Sequence, residues 1–208
     1  MTTTGCGQGR DLIIGITPFD SPNPRLTAAL SRAGALGVLD LGRDELRARA
    51  ALAQVTRWTK GPWGVRAPAG CTLEPDELPA GVTTVILPYG SPWDVRALDG
   101  RRVLVEVEDR EGARRALARG AAGLIARGCE GGGRVGELTT FVLLQHLLAD
   151  HALNVPVWAA GGIGRHSAAA AIAGGAAGVV LDAQLALLRE AALPKEIASA
   201  IAAMDGSE

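Results

Sequence analysis

Short apolar runs rich in β-branched residues recur along this 208-residue chain at an even pace, and that pacing constrains the fold more than any single motif does. The runs are Leu12–Thr17, Leu36–Leu41, Trp63–Ala67, Thr83–Leu87, Arg102–Val107, Gly123–Ala126, Val155–Ala160 and Gly178–Leu181. Their starts lie 24, 27, 20, 19, 21, 32 and 23 residues apart, the length of a strand, a turn and a helix. Most are apolar throughout, as strands are when both faces are covered. Helical patterning fills the gaps at Asn23–Ala33, Asp44–Thr59, Glu111–Arg119, Leu138–Asp150 and Ser167–Ala173. The stretch Tyr89 to Gly100 is too short and too rich in Pro and Gly for a full helix. Eight βα units predict an α/β fold, a compact (β/α)8 TIM barrel, with an open doubly wound sheet as the competing arrangement. Barrels of this kind ordinarily run to about 250 residues, so this one is economical in its loops and helices.

No internal linker interrupts the pattern, and residues 1–208 read as a single barrel domain. The chain opens on a Gly/Thr-rich stretch, Thr2 to Gly9. It closes on Met204-Asp205-Gly206-Ser207-Glu208 after an amphipathic helix, an ending expected of the N-terminal part of a longer multidomain chain. A net charge of −1 gives no electrostatic case for nucleic acid or an anionic membrane as partner. Cys6, Cys71 and Cys129 are odd in number and widely spaced, so they make neither a disulfide framework nor a zinc site. No metal site and a reducing, cytoplasmic setting are the expectation.

Function in such a barrel collects at the C-terminal ends of the strands, where three segments stand out. The sixth run leads into Arg127-Gly-Cys-Glu-Gly-Gly-Gly-Arg-Val-Gly136, with five glycines in the nine positions 128–136. Glycines at that density let backbone approach a ligand closely. The seventh run ends in Gly161-Gly162 ahead of a helix, which suits a phosphate held on bare N–H groups, or simply a tight turn. The eighth ends in Asp182-Ala183-Gln184. Arg134 reads as an anion binder and Glu130 as a base or a solvated carboxylate. Cys129 reads as a small apolar filler and Trp158 as core or barrel lining. His146, His151 and His166 read as structural.

The segments Gly123 to Gly136, Pro156-Val-Trp-Ala-Ala-Gly-Gly-Ile-Gly164 and Ala171 to Val180, with Leu30-Ser-Arg-Ala-Gly-Ala-Leu-Gly-Val38 upstream, resemble the nitronate monooxygenase (2-nitropropane dioxygenase-like) family of FMN-dependent barrels, which includes enoyl reductases. More narrowly, the chain resembles the N-terminal domain of some actinobacterial modular polyketide synthases. The resemblance implies FMN as cofactor, with Gly161 and Gly162 at its phosphate, Gly131, Gly132 and Gly133 near phosphate or flavin, and Asp182 and Ala183 closing the eighth-strand loop. Thr17-Pro18-Phe19 would then lie beside the flavin ring. It implies a small-molecule or acyl-thioester substrate and neighbouring polyketide synthase domains as partners. Three departures bear on activity. Arg134 takes the place of the family's basic His, and an arginine cannot accept a proton from carbon. Asp182-Ala183 replaces the usual Gly-Thr, which puts a carboxylate near the phosphate unless Asp182 turns away or pairs with Arg134 or Arg165. The first loop lacks the family's Pro-Met pair. The expected function is therefore FMN-dependent, enoyl-reductase-like redox chemistry in polyketide biosynthesis. Its alternative is a degenerate, non-catalytic barrel serving as a structural or docking domain.

Overall fold

A computed structural model describes residues 12–203. The Thr2–Gly9 stretch, Cys6 and the 204–208 ending lie outside the described residues. Eight parallel strands close on themselves in chain order: β1 (Ile13–Ile16), β2 (Leu36–Asp40), β3 (Trp63–Arg66), β4 (Val82–Leu87), β5 (Arg102–Val107), β6 (Gly123–Arg127), β7 (Val157–Ala160) and β8 (Gly178–Leu181). The last pairs with the first through Ile13–Val179, Ile14–Val180 and Gly15–Leu181. Closure removes the open-sheet alternative and leaves no exposed strand edge.

Helices α1 (Pro24–Arg32), α2 (Glu45–Trp58), α3 (Arg110–Ala118), α4 (Thr140–Leu148), α5 (Arg165–Ala173) and α6 (Lys195–Ala203) form the outer layer. Their starts follow local capping chemistry. Asn23, Asp44 and Asp109 each accept a backbone N–H from the first turn of the helix that follows. Helix α5 begins two residues before the expected Ser167 because Ser167 closes the turn from inside, its Oγ accepting the Gly164 N–H at 2.7 Å. Strand β7 begins later than expected, because the Val155 N–H turns back to the Leu153 carbonyl at 2.9 Å.

The third and fourth units carry only short 3-10 turns, at Pro75–Glu77 and Val95–Ala97. Tryptophans take over part of the missing cover. Trp63 is 1% exposed on the outer face of β3, and Trp93 donates its indole N–H to the Leu73 carbonyl at 2.7 Å. Each ring buries roughly 150–250 Å², a large share of what a short helix would contribute.

Alternation along the strands sorts side chains into two shells. Ile14, Ile16, Leu36, Val38, Ile86, Leu104, Ile125, Trp158, Ala160 and Val180 fill the barrel interior. Odd-parity neighbours such as Leu39, Val65, Val85 and Val103 pack outward under the helices. Among the described residues no helix is long and apolar enough to cross a membrane, and no cluster of metal-ligating side chains occurs.

Candidate functional site: the ionic mouth of the barrel

The same alternation that packs the interior places five charged residues in its last layer, at the C-terminal mouth. Asp40, Arg66, Glu106 and Arg127 each sit two positions beyond an inward residue of their strand, and Asp182 continues β8 in the same parity. They form one chain of contacts. The Arg66 guanidinium donates to Asp40 Oδ2 at 2.7 Å, to Glu106 Oε1 at 2.8 Å and to Asp20 Oδ1 at 3.1 Å. Arg127 lies 3.8 Å from Glu106 and donates to Asp182 Oδ2 at 3.0 Å and to the Gly132 carbonyl at 2.9 Å. Burial pushes the Asp40 carboxyl up to about 6 against the opposing pull of Arg66. The Arg66 pKa is raised as well: burial alone would lower it, but Glu106 and Asp40 more than offset that and hold the guanidinium protonated.

Above this layer lies a cavity of about 600 Å³ lined by the β1 loop, Arg43, Tyr89, Gly132, Gly133, Arg134, Asp182 and Ala183. The β1 loop is held in an uncommon conformation. Phe19 and Asp20 both have positive φ, 66° and 45°, and the Phe19 ring is 59% exposed. Strain in two successive non-glycine residues is the kind that persists where the surroundings fix a site. Arg134 stacks 3.5 Å over the Tyr89 ring, with Glu108 3.8 Å away.

The residues singled out in the sequence separate into two groups. Thr17, Gly132, Gly133, Arg134, Asp182 and Ala183 line the mouth. The Thr17 hydroxyl is committed below it, accepting the Asp40 N–H at 2.9 Å. Glu130 serves a helix. Its Oε2 accepts the Thr140 N–H at 2.9 Å and the Thr140 hydroxyl at 3.0 Å. Burial alone would raise its pKa, but those bonds, with its own N–H, hold it below the usual carboxylate value. Gly131 packs over Arg127, with its N–H donated to Gly128. Gly161 and Gly162 adopt left-handed conformations, and a Cβ on Gly161 would sit 2.9 Å from the Gly131 nitrogen. The β6 loop therefore lies against the β7 turn. Cys129 is exposed instead of filling space, with its Sγ 3.9 Å from Glu130. Of the arrangements the sequence left open for Asp182, turning away or pairing with Arg134 or Arg165, the structure shows neither pair: its partner is Arg127. The β8 amides are satisfied locally, Ala183 N–H by Asp182 Oδ1 at 2.7 Å and Asp182 N–H by Gln184 Oε1 at 3.1 Å.

Arg127, Glu106, Arg66 and Asp40 were not among the sequence candidates. Each takes the last inward position of its run or the one directly after it, and a charge there is the signal that would have found them.

An eight-stranded α/β barrel with a shaped, charged cavity over the strand ends is the architecture of a ligand-binding enzyme scaffold. The chain belongs to the nitronate monooxygenase family, whose model matches residues 100–203, half of its length. It is thereby a member of an oxidoreductase family. It is 32% identical over 186 residues to a Mycobacterium tuberculosis (3aS,4S,5R,7aS)-5-hydroxy-7a-methyl-1-oxo-octahydro-1H-indene-4-carboxyl-CoA dehydrogenase, covering 83% of this chain and 52% of that protein. The Rhodococcus jostii enzyme of the same name is 30% identical, with 84% and 51% covered, so the chain spans about half the length of these relatives. Among solved structures it is similar to a FabK mutant from Thermotoga maritima, at TM-score 0.80 and 30% identity over 96% of this chain and 70% of that one. A nitroalkane oxidase from Streptomyces ansochromogenes gives TM-score 0.77 and 25% identity, covering 90% and 70%.

Proposed function

We propose that this barrel binds FMN at its mouth and supports reduction of an activated acyl thioester, on the enoyl-reductase side of its family. The residues present fit the cofactor on two counts. Gly132 and Gly133 border the cavity with nothing within 4 Å of where a Cβ would stand, so a planar ring can approach their backbone. The carboxylate that would repel a phosphate, Asp182, is already neutralised by Arg127 at 3.0 Å. Gly161 and Gly162 at the β7 turn would hold the phosphate, and Phe19 and Tyr89, which line the cavity, would flank the ring. The bound flavin supplies hydride chemistry.

The chain's own residues favour reduction over nitronate oxidation, and Arg134 is the observation that carries this reading. Abstraction of a carbon-bound proton needs a base, and Arg134 is a permanent cation. Glu130, its acidic neighbour in sequence, is committed to Thr140. A guanidinium beside the cavity is suited instead to hold a thioester carbonyl oxygen and to stabilise the negative charge that grows there when the conjugated carbon is reduced.

The visible spectrum of the purified chain, before and after incubation with FMN, tests the reading. The expected result is a protein-bound flavin spectrum that Gly162→Asp abolishes without loss of fold. After anaerobic reduction, the flavin should be reoxidised by an enoyl thioester and not by a nitroalkane. A chain that stays colourless with excess FMN refutes the proposal.

A second reading is favoured by the ion chain and by the occupied β8 amides. In it the mouth is closed by the protein's own side chains, and the barrel serves as a non-catalytic domain of a polyketide synthase. The polyketide setting, with further synthase domains as partners, rests on the sequence resemblance of the β6 to β8 segments.

A further inference from the structure

The fourth βα unit closes without a helix, and a cavity of about 270 Å³ remains where that helix would pack. Its floor is Leu87, Val105 and Val107 of β4 and β5, and its walls are Trp93, Val95 and Ala116. Val105 faces outward like its neighbours Val103 and Val107, yet it alone of the three is left half-buried. At its inner end the cavity shares Pro88, Tyr89, Glu106, Arg127 and Arg134 with the barrel mouth. The two spaces are separated by the stacked Tyr89–Arg134 pair, both members of which are exposed. Helix α3 and its cap wall the slot from Gly112 to Arg119, a rise of roughly 10 Å.

We propose that this slot binds the linear apolar chain of a substrate whose polar end lies in the mouth, the chain passing the Tyr89–Arg134 pair. An apolar floor that opens onto the Arg134 guanidinium, with Arg115 and Arg119 along the α3 wall and Glu106 and Glu108 at the inner end, matches an unbranched acyl chain ending in an uncharged carbonyl. The floor is carried on strand backbone and one wall on helix α3. The identity of the polar end rests on the acyl-thioester reading above. The chain preference does not, because it requires no flavin.

The test is calorimetric titration of the whole chain, without added flavin, with N-acetylcysteamine thioesters running from acetyl to dodecanoyl. Affinity should rise two- to fourfold per methylene and level off near about eight carbons, the reach set by the roughly 10 Å wall. Val95→Trp, at a half-buried position on a surface turn, should fill the slot. It should lower octanoyl affinity at least tenfold while leaving acetyl binding and the circular dichroism unchanged. Arg134→Ala should weaken all chain lengths by a common factor. A wild-type series with no length dependence, or a length dependence that survives Val95→Trp, overturns the proposal. FMN titration of the same samples separates the two ideas. A flat series in a flavin-binding protein refutes the slot alone, and a graded series in a protein that never binds flavin refutes the flavin reading alone.

Discussion

Replacing Arg127 by Met should do two separable things, and both trace to one contact. Arg127 is 10% exposed, Asp182 is 25% exposed, and their side chains meet at 3.0 Å. At an effective dielectric near 20 the gross attraction at that distance is about 5 kcal/mol, much of it offset by desolvation. Breaking a buried pair from one side should nonetheless cost about 3–5 kcal/mol, because Asp182 and the Gly132 carbonyl lose their donor. Asp182→Asn should cost less, about 1–2 kcal/mol, since the amide oxygen still accepts the Ala183 N–H. The double variant should be milder than the sum by about 2 kcal/mol. FMN binding should follow the same logic. An unpaired Asp182 at about 4 Å from a phosphate adds roughly 4 kcal/mol of repulsion, so Arg127→Met should weaken FMN by up to about a thousandfold. Adding Asp182→Asn should recover most of that loss. Urea unfolding and flavin-fluorescence titration on the four proteins complete the cycle. Effects that add within about 0.5 kcal/mol in both assays would refute the assignment of Arg127 as the counter-charge that keeps the phosphate site usable.

Asp40 predicts a pH signature. Its carboxyl is raised from 3.8 to about 6 by burial, so the neutral form suits the fold, and its contribution to stability is present below about 3.8 and lost as pH rises through about 6. The stability of the wild type relative to Asp40→Asn should therefore fall by about 2–3 kcal/mol between pH 4 and 7, and a constant gap in urea unfolding would contradict the burial argument. Glu130→Ala should destabilise by about 1–2 kcal/mol by uncovering the start of α4, while Glu130→Gln, which keeps an acceptor, should restore most of it. Equal losses in thermal unfolding would count against a capping role. Trp93→Ala should cost about 3–5 kcal/mol, more than an ordinary loop residue, because its ring stands in for part of a missing helix. A loss below about 1 kcal/mol would show that the outer layer closes without it.

The barrel was legible in the spacing of the strands. Eight apolar runs at near-equal spacing, each needing cover on both faces, leave closure as the economical solution, and the β1–β8 pairing supplies it. The strand ends with dense glycine were legible for the same reason, since a missing Cβ at Gly161, next to the Gly131 nitrogen, is written directly in the residue type. Which charges meet could not be read from spacing. Asp40, Arg66, Glu106, Arg127 and Asp182 are up to 142 residues apart in sequence, and each looks like the polar end of its own strand. Parity aims them inward, and barrel curvature then brings five strands to one ring. Asp182 consequently finds Arg127 rather than Arg134 of the β6 loop or Arg165 at the start of α5. The slot beside β5 was equally invisible, because a short fourth connection announces a missing helix but not whether neighbouring side chains fill the space. Local spacing fixes the elements; side-chain partners and unfilled volume are properties of closure.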